Sequence, residues 1–157
     1  MRRVMVSVLV GALGVAGLAG CGSSSKAATT TTGSGVTVPA DNGTPVAVTA
    51  GDTSDTVQFL KVDPLTVKAG KVTFTFKNTG NRVHEMIVLK TDTAVDKLVV
   101  GSDNKVSEDA SVGEVSETDA GKTVVKTLDL AAGSYVLVCN LEKHYSQGMK
   151  SAFTVTA

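Results

Sequence analysis

The stretch Lys71 to Phe76, KVTFTF, puts Val72, Phe74 and Phe76 on one side and Lys71, Thr73 and Thr75 on the other. That period of two is the mark of a half-buried strand. Further β-branched or aromatic runs occur at 83–90 (VHEMIVLK), 123–130 (TVVKTLDL), 134–139 (SYVLVC) and 152–157 (AFTVTA). Turn residues separate them: Asn78 to Asn81, Asp119 to Gly121 and Ala131 to Gly133. TVQFLKV (56–62) reads as another strand before Pro64, and VAVTA (46–50) as an edge strand. Seven or eight short strands with a turn about every ten residues predict an all-β fold, a Greek-key sandwich or barrel. The pattern lapses over 92–118, an acidic stretch in which TAVDKLVVG (93–101) is able to form a short helix. This stretch fits the long crossover that a Greek key requires. A sandwich is also a rigid frame whose end loops are natural places for a site.

The first residues follow another logic. MRR supplies a positive start, and Val4 to Gly20 is uncharged and rich in Val, Leu, Ala and Gly. It is barely long enough to span a bilayer and poor as a helix. Leu18-Ala19-Gly20-Cys21 ends it, small residues before a cysteine, which resembles the lipobox of bacterial lipoproteins. That resemblance implies a signal peptide over 1–20 and lipidation of Cys21. A plain signal peptide or an N-terminal anchor is the alternative, and each of these readings exports the domain. The residues from 21 to 44 are mostly Ser, Thr, Gly and Ala and read as a flexible tether, which leaves 45–157 as one domain. Basic and acidic residues balance at 15 each, with no basic patch, so nucleic acid is not an expected partner.

Cysteine usage narrows the chemistry. An exported chain normally pairs its thiols, yet with Cys21 acylated, Cys139 has no partner. Alone it would pass for an inert buried cysteine at a strand end. However, CNLEKHYSQGM (139–149) adds His144 and Met149 at equal spacing, and the chain's other histidine is His84, on the strand after the Asn78–Asn81 turn. Thiolate, imidazole and thioether are soft donors suited to copper, whereas zinc would rarely recruit methionine. The acids of 107–119 lack calcium-loop spacing and read as a solvated loop. No Ser-His-Asp set can be assembled, so catalysis is not expected.

The segments NTGNRVHEMIVLK (78–90) and AAGSYVLVCNLEKHYSQGMKSAFTV (131–155) resemble the cupredoxins, or type 1 blue-copper proteins. The Cys-x4-His-x4-Met loop is similar to that of the rusticyanin, auracyanin and sulfocyanin type. The resemblance implies one copper ion per domain with His84, Cys139 and His144 as its plane and Met149 as axial ligand. It further implies a monomeric one-electron carrier, tethered to a membrane through its lipid anchor. Redox proteins would dock near His144 against Leu141, Tyr145 and Gly148. Two departures stand out: Glu142-Lys143 replaces the usual Pro-Gly before the loop histidine, and Glu85 replaces the usual Asn or Ser after His84. Strand alternation turns Glu85 away from the His84 face. Glu85, Met86 and Asn140 are the residues expected to surround the ligands. Met86 shares the face of His84; it reads as core packing, or as an extra Cu(I) donor in a copper carrier without a redox role. A sandwich that has lost its metal and binds a partner is a further alternative.

Overall fold

The computed structural model describes residues 43–157. The leader, Cys21 and nearly all of the tether therefore lie outside the described residues. Among the described residues nine strands follow one another: β1 Thr44–Asp52, β2 Gln58–Asp63, β3 Thr66–Lys68, β4 Gly70–Asn78, β5 His84–Lys90, β6 Ser111–Thr118, β7 Thr123–Leu130, β8 Gly133–Val138 and β9 Lys150–Thr156. They form a four-stranded sheet in the order β2-β1-β4-β7 and a five-stranded sheet in the order β3-β9-β8-β5-β6. β1 runs parallel to β4 and β3 parallel to β9, and the other pairs are antiparallel. The all-β Greek-key sandwich expected from the alternation is the observed architecture.

Alternation decides which side chains meet. Val46, Val48 and Ala50 of β1 and Val72, Phe74 and Phe76 of β4 face Met86, Val88, Leu137, Phe153 and Val155 of the other sheet. Phe74 and Phe153 touch across the gap with ring centroids 5.7 Å apart. Full burial of each such side chain stabilises the fold by about 1.5–3 kcal/mol. The five-stranded sheet is also covered on its outer face, where Ile87, Leu89, Val136 and Val138 pack with Val106 and Tyr145. The covering comes from the chain between β5 and β6.

That segment departs from expectation. It forms no helix: its start holds a single turn, Lys97 N–H to Ala94 O at 2.8 Å, and Val100 bridges Val106. Val95 and Leu98 pack onto the sheet instead of along a helix stripe. Its end is a strand, β6, of which only Val115 and Thr118 are buried, too sparse a pattern to read as a strand. VAVTA is likewise not an edge; β1 lies between β2 and β4. The three-residue β3 escaped notice because Pro64 and Leu65 precede it directly.

Candidate metal centre

The site lies at one end of the sandwich and begins with a turn. Asn78, fully buried at the end of β4, donates its amide to Arg82 O at 2.7 Å and Thr118 O at 2.9 Å. Its side-chain oxygen accepts the Gly80 N–H at 2.9 Å. The turn is thereby fixed from inside, and His84 enters β5 with its ring in the core. Cys139 follows β8 directly and Met149 precedes β9; the Cys139 N–H donates to Met149 O at 3.1 Å, closing the loop at its neck. Within the loop, His144 N–H donates to Leu141 O at 3.0 Å and Met149 N–H to His144 O at 3.1 Å. Gly148 has φ +114, and a Cβ there would stand 2.6 Å from Gln58 O, so only glycine fits beneath β2.

These elements bring together three of the predicted donors. His144 Nδ1 lies 3.2 Å from Cys139 Sγ and 3.3 Å from His84 Nδ1. The donor atoms of His84, Cys139 and His144 all lie within 4.8 Å of one another. Met149, fully buried, packs in the same apolar cluster as Cys139 and Met86. His84 and Cys139 are also fully buried, whereas His144 is partly exposed.

Electrostatics follows from that burial. Burial pushes the Cys139 thiol up to about 11, against the pull of the Glu85 and Leu141 N–H groups. The Glu85 N–H donates to the sulfur at 3.3 Å. Burial, then repulsion from His84, brings His144 down to about 4. His84 is also lowered by burial, although the Asp52 carboxylate beside it pulls the other way. Burial would lift Asp52, but N–H groups of Asn81 and Arg82 with the His84 ring hold it below its ordinary value.

The remaining predicted neighbours support the loop from outside. Glu85 turns away from the His84 face, as alternation requires, and its carboxylate accepts the Asn140 N–H at 3.1 Å; burial raises its pKa. Asn140 accepts the Val106 N–H at 2.8 Å and donates to Val106 O at 2.9 Å and Glu108 Oε1 at 2.7 Å. Lys143 N–H donates to Asn104 O at 3.1 Å, and the Tyr145 hydroxyl to Val95 O at 2.7 Å. Tyr145 is thus buried in the outer cluster, which corrects its expected place on a docking surface; Leu141 and Gly148 keep exposure. On the opposite flank Gln58 N–H donates to Gln147 O at 3.0 Å and Gln58 Nε2 to Gln147 Oε1 at 2.7 Å. Asn78 is legible only as a turn residue, and Asp52, Asn104, Gln58 and Gln147 are not legible as parts of the site at all. Their spacing carries no local signal; only the fold brings them to the site.

Residues 63–157 match the model of the sulfocyanin (SoxE) domain, more than half of the chain. The chain belongs to the sulfocyanin family. Among solved structures, auracyanin from Roseiflexus castenholzii is 22% identical with TM-score 0.53, covering 71% of this chain and 97% of its own. Auracyanin A from Chloroflexus aurantiacus, described as a "blue" copper protein, is 23% identical with TM-score 0.50, covering 71% and 99%. Rusticyanin from Thiobacillus ferrooxidans is 22% identical with TM-score 0.51, covering 73% and 79%. At these identities the likenesses show a shared fold. A search of curated protein sequences gave no match. The group that a sulfocyanin domain implies is a single type 1 copper ion. The donor set fits it, with one thiol, two imidazoles and a nearby thioether, all soft or borderline, gathered in an apolar pocket.

Proposed function

We propose that the protein is an exported, lipid-anchored carrier of single electrons, with one copper ion held by His84, Cys139, His144 and Met149. The observation that carries the reading is the convergence of His84, Cys139 and His144 to within 4.8 Å of one another from a strand and a loop 55 residues away, in a fold already closed around them. Copper supplies a one-electron couple. The chain's own residues supply constraint: a site that cannot rearrange between oxidation states keeps the reorganisation cost small. Cys139 binds as thiolate, so loading releases its proton. His144, the partly exposed donor, is the edge through which a redox partner reaches the site, with Leu141 and Gly148 beside it. Four protein donors leave no open position for a substrate, so the role is transfer rather than catalysis.

Titration of the soluble domain with Cu(II), followed by redox cycling, tests this. A strong blue thiolate-to-copper band that bleaches and returns reversibly is expected. A colourless complex that accepts only Cu(I) would replace electron transfer with copper carriage, Met86 then counting as a donor. The anchor rests on the Leu18–Cys21 pattern and is tested separately: Cys21→Ala should release the protein from membranes with its copper spectrum unchanged.

A further inference from the structure

We infer that Asp52 is a positioning residue of the copper site, orienting His84 and favouring the oxidised ion. The inference rests on the reading of His84 as a copper ligand. Asp52 ends β1, and the parallel register that sets Ala50 opposite Asn78 carries it beneath the turn before His84. Its side chain is 7% exposed, and its Oδ1 lies 3.2 Å from His84 Nε2. The same oxygen accepts the Asn81 N–H at 2.9 Å and the Arg82 N–H at 3.2 Å, and Oδ2 accepts Asn81 Nδ2 at 3.4 Å. The Arg82 guanidinium pairs instead with the exposed Asp55, so only its backbone N–H reaches Asp52.

A ring that donates its Nε2–H to a carboxylate keeps the lone pair on Nδ1, the nitrogen facing Cys139 and His144. Tautomer and ring rotation are therefore set before any metal arrives. The anion also makes the imidazole a stronger donor and offsets the extra positive charge of Cu(II) relative to Cu(I). Asn81 and Arg82 supply donors that a merely structural turn would also use; the line to His84 is what makes the carboxylate part of the site. Gly80 permits the arrangement, since a Cβ there would stand 2.2 Å from Asp52 Oδ1 and 2.9 Å from its backbone nitrogen.

The test uses the copper-loaded protein and its Asp52→Asn variant. The amide still accepts the two backbone N–H groups but carries no charge. Competition binding should show Cu(II) held about 10- to 100-fold more weakly, with Cu(I) little changed. Each tenfold change in that ratio reads as a rise of about 59 mV in reduction potential. The proton NMR signal of His84 Nε2–H in the Cu(I) form should move upfield. Gly80→Ala, which displaces the carboxylate without altering its charge, should shift the potential in the same direction and by less; it also decides the matter if Asp52→Asn does not fold. An unchanged potential and an unchanged Cu(II):Cu(I) affinity ratio in a folded blue variant would overturn the role of Asp52, even with a lowered urea midpoint. Absence of a blue complex in the wild type would overturn the copper reading itself, and Asp52's role with it.

Discussion

His84 begins a strand, is fully buried and gives its outward nitrogen to Asp52; His144 rides on a loop, is partly exposed and turns Nδ1 inward towards Cys139. One ring is held by the sandwich itself. The other is held by a loop that is fastened in turn by Asn104 and Val95 on one flank and by Gln58 on the other. The difference suits the two rings to different tasks under the proposed function. On that function, the buried, carboxylate-bound imidazole would fix where the metal sits, and the imidazole at the rim would give a redox partner a path to it.

Four perturbations would break or sharpen this contrast. The largest acts on Cys139, the donor that both rings face. Cys139→Ser should abolish the blue band and remove the thermal stabilisation by copper, which in the wild type is about 2.7 kcal/mol at a hundredfold excess over Kd. Equal copper-induced stabilisation of variant and wild type, seen by thermal melts, would dissolve the site altogether.

Next come the rings themselves. His84→Ala should destabilise the metal-free fold by about 2 kcal/mol at neutral pH, because it opens a hole at full burial and strips Asp52 of a partner. His144→Ala should cost no more than about 0.5–1 kcal/mol at its partly exposed site. Urea midpoints measure both, and equal costs would erase the distinction.

Acid tests the same pair. Both histidines are kept below their ordinary value in the fold, His144 at about 4. The unfolded chain therefore takes up protons that the native chain refuses, and metal-free stability falls as pH drops from about 6.5 towards 4. His144 held neutral contributes up to about 1.4 kcal/mol per pH unit in that window, and His84 acts in the same direction. Urea titrations across it should give a shallower fall in His144→Ala than in the wild type; the same slope in both would show that His144 does not titrate with folding.

The smallest effect concerns the turn before His144. Lys143 has φ +70, a backbone region that favours glycine, and its N–H is tied to Asn104. Lys143→Gly should stabilise the fold by roughly 0.5–1 kcal/mol through relief of that strain, offset in part by chain entropy. A lowered urea midpoint would show that the Lys143 side chain contributes more than its backbone costs.

How much of this was legible in the sequence differs by element. β4 and β9 announce themselves by large apolar residues at alternate positions, β5 and β8 by apolar runs buried on both faces, and β7 by its β-branched run between turn residues. The candidate metal ligands are legible for a different reason: with two cysteines and two histidines in the whole chain, few combinations exist. β6 stayed hidden because it is an edge strand with a bulged register against β5 and a largely exposed face. Asp52 stayed hidden because its partner lies 32 residues away, a relation that no local period records. Tyr145 was misplaced because a loop aromatic reads as exposed until the segment that covers it, Val95 to Val106, is seen folded over the sheet. Lys143 stands where the resemblance implies glycine, and its N–H bond to Asn104 O holds the turn all the same.

The burial of Cys139 also bears on the protein before metal arrives. Thiolate, not thiol, is the form that attacks disulfides and oxidants, and burial pushes the Cys139 thiol up to about 11, so little of it is thiolate at neutral pH. The fully buried sulfur is shielded from reagents as well. If the domain is exported as proposed, its metal-free form would meet oxidants with this thiol buried and protonated, the state that reacts slowest. The apolar cluster that gathers Cys139 with Met149 and Met86 thus also shields the sulfur while the site is empty.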